Sequence, residues 1–294
     1  MKGRGIPVGL STASVYPQTT ESAFQYAAEL GYDGVELMVW AEPTSQDPYA
    51  VSELIDRYQV PVLAIHAPCL LISQRVWGSD PIPRLDRAVQ VARQIGARTV
   101  VVHPPFRWQR AYARGFAAQV ARLEDTHGII VAVENMYPFR ADRFLGGRDR
   151  SIERIRKRGE VGAGISAFAP GYDPTAVDHR HFTLDLSHTS TAGMDALALA
   201  DRMGDGLAHM HLTDGRGAYT DEHLPPGAGD QPCAELCGRL ADQRFAGQVV
   251  LEINTQGVRT RDERAAMLAD SLAFARTHLA RRRPHRAGGP EGER

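Results

Sequence analysis

Lysine and cysteine are scarce in this chain of 294 residues, and the balance of charges and the spacing of the cysteines each exclude some classes of function. Lys2 and Lys157 are the only lysines, and 34 basic side chains are balanced by 35 acidic ones. Because the charges balance, the overall electrostatics favour neither nucleic acid nor an anionic membrane as a partner. The three cysteines, Cys69, Cys233 and Cys237, lack the CxxC spacing of redox and zinc-ribbon motifs and are too few for a disulfide framework.

Long hydrophobic runs are also missing. No apolar stretch approaches the ~18–20 residues that a membrane-spanning helix needs. The N-terminus shows no apolar core of a signal peptide, because Pro7 and the polar pair Ser11–Thr12 interrupt it early. These absences predict a cytoplasmic protein without a membrane partner. A hydrophobic fraction of 43% and a charged fraction of 23% are nevertheless those of an ordinary globular chain.

Short β-branched or apolar runs alternate with longer amphipathic segments along the chain. The predicted strands are Ile6–Leu10, Gly34–Met38, Val62–His66, Thr99–His103, Ile129–Glu134, Phe182–Leu186, Leu207–Leu212 and Val249–Ile253. The predicted helices are Thr20–Leu30, Pro48–Tyr58, Pro83–Ile95, Ala111–Thr126, Asp149–Lys157, Ala192–Met203, Gln231–Asp242 and Arg261–Leu279.

Eight such alternations predict one closed (β/α)₈ TIM barrel over residues 1–280, with its active site at the C-terminal ends of the strands. An open doubly wound sheet is the rival fold, but it normally carries GxGxxG after its first strand, and residues 9–14 have no such pattern. An α/β protein with seven or nine strands instead of eight is a further alternative. The polar, Gly/Pro-rich tail 281–294 is predicted to be disordered.

Side chains able to bind metal stand at the ends of successive predicted strands, where a barrel would aim them into one pocket. They are Glu36, His66, His103, Glu134, Asp185, His188, His211, Asp221, His223 and Glu252. A single histidine or carboxylate at such a place is more often structural. Charged residues inside apolar runs, however, are rarely buried unless they are paired or bound to a metal. Four such residues at strand ends are better explained by one shared site than by four separate structural roles. The residues Glu134, Asp185, His211 and Glu252 (the quartet) are therefore predicted to hold a divalent ion, Zn²⁺ or Mn²⁺.

A series of short motifs then resembles a known superfamily. In chain order they read GYDGVEL, IHAP, VVHPP, VENM, LDLSHT, HMHLTDGRG, HLPPGAGD and VLEIN. Over about residues 6–279 this series resembles the xylose-isomerase-like TIM-barrel superfamily, which includes sugar and sugar-phosphate isomerases and epimerases and the endonuclease IV repair enzymes. The order of the motifs, more than any one of them, carries the resemblance.

The isomerase and epimerase branch implies one metal ion held by the quartet and a small sugar or sugar phosphate as substrate. There Glu134 and Glu252 would act as acid and base on an ene-diolate, while Arg216 and Glu36 would contact the substrate. A dehydratase would begin with the same proton abstraction. No stripe of residues identifies a dimer face, and whether the barrel forms a homodimer stays open.

The endonuclease IV branch is the alternative, with up to three zinc ions and abasic DNA as substrate. It implies five further ligands besides the quartet: His66, His103, His188, Asp221 and His223. The isomerase branch would use some of these as substrate contacts instead. Two departures weigh against the nuclease, since Cys69–Leu70 stands where it has an aromatic and an aliphatic residue, and HLTD replaces its HLND. A catalytically inactive barrel that only binds a ligand is least favoured, because no ligand of the quartet is missing.

Overall fold

Eight parallel strands form the centre of the computed structural model, which describes residues 5–69, 73, 76–138, 166–218 and 220–280. The strands are β1 (Val8–Ser11), β2 (Gly34–Met38), β3 (Val62–His66), β4 (Thr99–Val102), β5 (Ile130–Glu134), β6 (Phe182–Asp185), β7 (Leu207–His211) and β8 (Gln248–Leu251). Each strand pairs with the next, and β1 pairs with β8 through Gly9 and Val250, so the sheet closes. The predicted (β/α)₈ barrel is confirmed, and the open sheet is excluded.

Helices pack around this barrel. They are α1 (Thr20–Leu30), α2 (Pro43–Gln46), α3 (Pro48–Tyr58), α4 (Pro81–Ile95), α5 (Arg110–His127), α6 (Leu186–Ala192), α7 (Ala196–Met203), α8 (Cys233–Asp242) and α9 (Arg261–Leu279). Short 3₁₀ turns occupy Thr12–Val15, Pro174–Ala176 and Gly204–Gly206. Within the described ranges, no helix combines the length and the apolar character required to cross a membrane.

Local sequence signals explain several helix ends. Thr19 accepts a hydrogen bond from the backbone N–H of Ser22 and so caps α1, while Gly31 ends that helix in the left-handed conformation at φ 80°. Thr260 and Glu263 form a reciprocal capping box at the start of α9. These caps satisfy backbone groups that the first and last helical turns leave without partners.

Two predicted segments differ from the structure around the sixth strand. The strand ends at Asp185 rather than Leu186, and the predicted helix Ala192–Met203 begins only at Ala196. Between them the chain forms α6, which the sequence did not predict. The predicted helix 149–157 and the predicted disordered tail 281–294 lie outside the described residues, so the domain boundary at 280 stays a prediction.

Alternation along the strands separates two environments. On β7, Ala208 and Met210 face the helices, whereas His209 and His211 share the opposite side, which faces the barrel interior. All five residues of β7 are buried, as expected for a parallel strand covered on both faces. The barrel therefore stacks polar side chains in its interior, directly beneath the C-terminal ends of the strands.

Candidate metal centre

His211, the last residue of β7, is the hub of the polar cluster. Its ring nitrogen Nδ1 lies 3.2 Å from Glu134 Oε1, 3.3 Å from Asp185 Oδ2 and 3.1 Å from Glu252 Oε2. Glu134 and Asp185 end β5 and β6, and Glu252 directly follows β8. The structure thus brings the whole predicted quartet around one nitrogen atom.

A second group meets the quartet at Glu134. The Nε2 atoms of His66 and His103 lie 3.2 and 3.0 Å from Glu134 Oε2. These histidines end β3 and follow β4, and their rings stand edge to face with centroids 4.8 Å apart. Glu134 therefore presents one carboxylate oxygen to this histidine pair and the other to His211.

A third group forms where α6 approaches the loop after β7. Asp221 Oδ2 lies 3.1 Å from His188 Nε2 and 2.7 Å from His223 Nε2. The hydroxyl of Ser187 donates to Asp221 Oδ1 at 2.5 Å and accepts the backbone N–H of His223 at 2.9 Å. Asp185 Oδ1 accepts the N–H of His188 at 2.7 Å, which caps α6 and joins this group to the quartet.

The two predicted substrate contacts are engaged by the protein itself. Glu36 is fully buried, with Oε1 3.0 Å from His211 Nε2 and Oε2 3.0 Å from His209 Nε2. The exposed Arg216 guanidinium donates through Nε and Nη2 to the carbonyl of Ala228, at 3.1 and 2.8 Å. Sequence reasoning overlooked His209, although its position two residues before His211 on the same strand places both on one face.

The ionisable groups of the cluster shift one another's pKa values strongly. Burial acts to raise the pKa of Glu134, but the charges of His211 and His103 outweigh it and hold that pKa well below its usual range. For Glu252 burial prevails over His211 and His223, and its pKa is raised. Burial acts to lower the pKa of His188, yet the nearby carboxylates of Asp185 and Asp221 raise it to about 10. Protonated histidines thus neutralise the carboxylates where a bound cation would do so instead.

The donor set fits a divalent metal. One ligand atom from each residue lies within 4.8 Å of the others in the sets His66–His103–Glu134, Glu134–Asp185–His211 and Asp185–His188–His223. Within this described polar cluster, the buried atoms Asp185 Oδ2, His103 Nδ1 and His209 Nε2 have no hydrogen-bond partner. A buried carboxylate oxygen without a hydrogen bond is costly unless a cation lies beside it. Nitrogen and oxygen ligands without sulfur suit Zn²⁺ or Mn²⁺.

Comparison with known proteins identifies the family of this barrel. A sequence model described as "Xylose isomerase-like TIM barrel" matches residues 24–163 and 175–278. An uncharacterized protein of Mycobacterium tuberculosis (strain ATCC 25618 / H37Rv) is 64% identical over 277 residues, which are 94% of this chain and 99% of that protein. Fructoselysine 3-epimerase of Escherichia coli O157:H7 is 21% identical over 271 residues, covering 84% of this chain and 90% of the enzyme.

Solved structures show the same fold. The crystal structure of a D-tagatose 3-epimerase-like protein superposes with a TM-score of 0.64 at 21% identity, covering 94% of this chain and all of the other. At this identity the likeness establishes the fold and leaves the chemistry to be argued from the site.

Proposed function

Since this chain belongs to the xylose isomerase-like TIM barrel family, we propose that it is a divalent-metal-dependent epimerase or isomerase of a small sugar or sugar phosphate. The observation that carries the proposal is the placement of Glu134 and Glu252. They come from β5 and the end of β8, with two strands between them, yet both carboxylates lie within 3.2 Å of the same His211 nitrogen. Two buried carboxylates converging on one point can move protons on one substrate, at a single carbon in an epimerisation or between neighbouring carbons in an isomerisation.

The quartet would hold the ion, with Glu134, Asp185, His211 and Glu252 as its ligands. A divalent ion there would polarise the substrate carbonyl and its adjacent hydroxyl, which lowers the cost of an ene-diolate. Glu134 and Glu252 then act as the proton-transferring pair, one removing a proton from carbon and the other returning one. His66, His103 and His188 line the same site and can donate hydrogen bonds to substrate hydroxyls.

The names of two relatives support this chemistry. The fructoselysine 3-epimerase that matches most of the chain and the D-tagatose 3-epimerase-like protein of the same fold are both named for inversion beside a ketose carbonyl. Inversion of that kind requires removal and return of a proton at carbon. The paired glutamates of the quartet are suited to that step.

Proton exchange in deuterated water tests the proposal. Protein loaded with Zn²⁺ or Mn²⁺ is incubated with a panel of ketoses and ketose phosphates, and deuterium at the carbons flanking the carbonyl is read by NMR. Glu252→Gln should lower turnover about 100- to 10,000-fold, the usual contribution of a general acid or base, while melting remains cooperative. Glu235→Gln, on the exposed face of α8, is the matched control and should keep full activity. Near-normal turnover in Glu252→Gln would remove Glu252 from the mechanism.

An endonuclease IV-like phosphodiesterase is the second candidate, favoured by one observation. Seven of the nine predicted ligands, all but Asp221 and Glu252, form three adjoining sets that share Glu134 and Asp185. Metal analysis together with an oligonucleotide containing an abasic site separates the two functions. One ion per chain, little affected by His223→Ala, supports the epimerase or isomerase; three zinc ions per chain with cleavage of the abasic strand would support the nuclease.

A further inference from the structure

Glu36 occupies a place that the proposed reaction does not use. It lies in the middle of β2, is fully buried, and is separated from β7 in the sheet by β1 and β8. Its contacts with β7 therefore cross the barrel interior. Oε1 lies 3.0 Å and Oε2 3.3 Å from His211 Nε2, on the side of that ring opposite the quartet.

His209 contacts the same carboxylate from below. Its Nε2 lies 3.0 Å from Glu36 Oε2, and its Nδ1 lies 3.1 Å from the side-chain nitrogen of Gln248, its cross-strand partner on β8. That amide nitrogen also donates to the carbonyl of Leu63 at 3.2 Å. An amide nitrogen can only donate, so His209 Nδ1 must accept. The proton of a neutral His209 ring then sits on Nε2, which lies in close contact with Glu36 Oε2 without the alignment of a hydrogen bond.

The ring of His211 is defined in the same way. An ionised carboxylate can only accept, so the His211 nitrogen that contacts Glu36 must carry a proton. Nδ1 faces Glu134, Asp185 and Glu252, and with a cation among them it would give that cation its lone pair, so the one proton of the neutral ring would stay on Nε2. A carboxylate behind a histidine in this way fixes its orientation and makes it a stronger metal ligand.

We propose that Glu36, supported by His209 and Gln248, is a positioning residue that holds His211 as the Nε2–H tautomer and aims Nδ1 at the metal. The chain of contacts runs from Gln248 to His209, Glu36 and His211, from the interior of the barrel up to the site. The inference rests on the metal of the proposed function and not on the reaction that the metal serves.

Zinc affinity measured by competition with a chromophoric chelator tests the proposal without any substrate. Glu36→Gln should weaken Zn²⁺ binding about 10- to 100-fold, as a change to the hydrogen-bond partner behind a metal ligand commonly does, and His209→Leu, which acts only through Glu36, should weaken it by a smaller factor that still exceeds twofold. His209→Gln keeps a nitrogen donor near the place of Nε2 and should recover most of the affinity. Affinities within twofold of the parent in both Glu36→Gln and His209→Leu would overturn the proposal.

A control comes from a second glutamate–histidine pair, in which the glutamate is buried and the histidine half-buried. Glu124 accepts from the backbone N–H of Val131 at 3.0 Å and lies 2.6 Å from His181 Nδ1, at the N-terminal ends of β5 and β6. Glu124→Gln removes a similar contact far from the quartet and should leave zinc affinity unchanged. A loss equal to that of Glu36→Gln would show that such Glu–His contacts affect zinc affinity only through stability, and would also overturn the proposal.

A spectroscopic measurement on the parent protein covers the case in which Glu36→Gln does not fold. In zinc-loaded protein labelled with ¹⁵N-histidine, His211 should show a protonated Nε2 and a metal-bound Nδ1. Coordination through Nε2 would refute the inference. Since both measurements use zinc alone, absence of turnover on every sugar would count against the proposed function and leave this result intact.

Discussion

Asp214, three residues after β7, is expected to be the anchor of the loop that leads to α8. Its carboxylate is fully buried and accepts three backbone N–H groups. Oδ1 takes those of Gly215 and Gln231 at 2.8 and 2.9 Å, and Oδ2 takes that of Gly227 at 2.9 Å. The perturbation that isolates this role is Asp214→Asn, which preserves shape and replaces one accepting oxygen by an amide that can only donate.

The expected cost follows from that geometry. One of the two carboxylate oxygens becomes an NH₂ group. In one orientation of the amide this group faces the Gly227 N–H, and in the flipped orientation it faces the N–H groups of Gly215 and Gln231, so at least one hydrogen bond is lost. A hydrogen bond to a charged group contributes about 1.5–3 kcal/mol. At about 2–4 °C per kcal/mol for domains of 150–250 residues, a loss near 2 kcal/mol lowers the melting temperature by about 4–8 °C.

Calorimetry and hydrogen exchange measure the global and the local effect. Asp214→Asn should melt earlier, and the amides of Gly227 and Gln231 should exchange faster than those of the strands. Asp230→Asn, in the same loop but with an exposed side chain, is the control and should change stability by less than about 0.5 kcal/mol. A melting temperature within 1 °C of the parent, with unchanged exchange in the loop, would refute the anchoring role.

Two further predictions concern the scaffold. Gly34→Ala should destabilise the barrel by about 1–3 kcal/mol, because a Cβ there would lie 2.6 Å from both Leu63 Cγ and the carbonyl oxygen of Pro61. The control Gly115→Ala, on the open surface of a helix, should be neutral or stabilising. Equal melting temperatures of the two variants would contradict this prediction. Thr260→Ala removes half of the capping box of α9 and should cost about 1 kcal/mol in chemical denaturation, whereas an unchanged midpoint would show that the cap does not limit stability.

Periodicity and strand-end chemistry were sufficient to predict the barrel, and α6 shows where they fail. Its sequence, LSHTSTA, is rich in serine and threonine and has no apolar period of 3.6 residues, so the pattern did not indicate a helix. The helix forms because Asp185 caps it and because the N–H of Ser187 donates to Thr213 Oγ1 at 2.8 Å. The cap is local, because Asp185 directly precedes the helix, but Thr213 lies 26 residues further along the chain than Ser187, and only the pairing of β6 with β7 brings the two together.

The site, too, has one part that the sequence predicts and one part that it does not. The quartet was predictable because each member is a charged side chain in an apolar run at a strand end, and burial of such a group needs a partner. The contact between Glu36 and His209 was not, since β2 and β7 are not neighbours in the sheet. Strand alternation places each residue inside the barrel, but only closure of the sheet brings these two within 3.0 Å.

The polar interior beneath the candidate metal centre is better explained by function than by stability. TIM barrels commonly fill this space with layers of branched apolar side chains, and exchanging a buried ion pair for well-packed apolar groups is often neutral or stabilising. Here Glu36, His209 and Gln248 stand there instead, in contact with one another and with the ring of His211. Desolvation of the Glu36 carboxylate opposes folding, whereas its hydrogen bond to His211 would, on the proposal above, fix which nitrogen of that ring faces the quartet. The layer is therefore best understood as a support for the orientation of one ligand, at a cost in folding free energy that an apolar core would avoid.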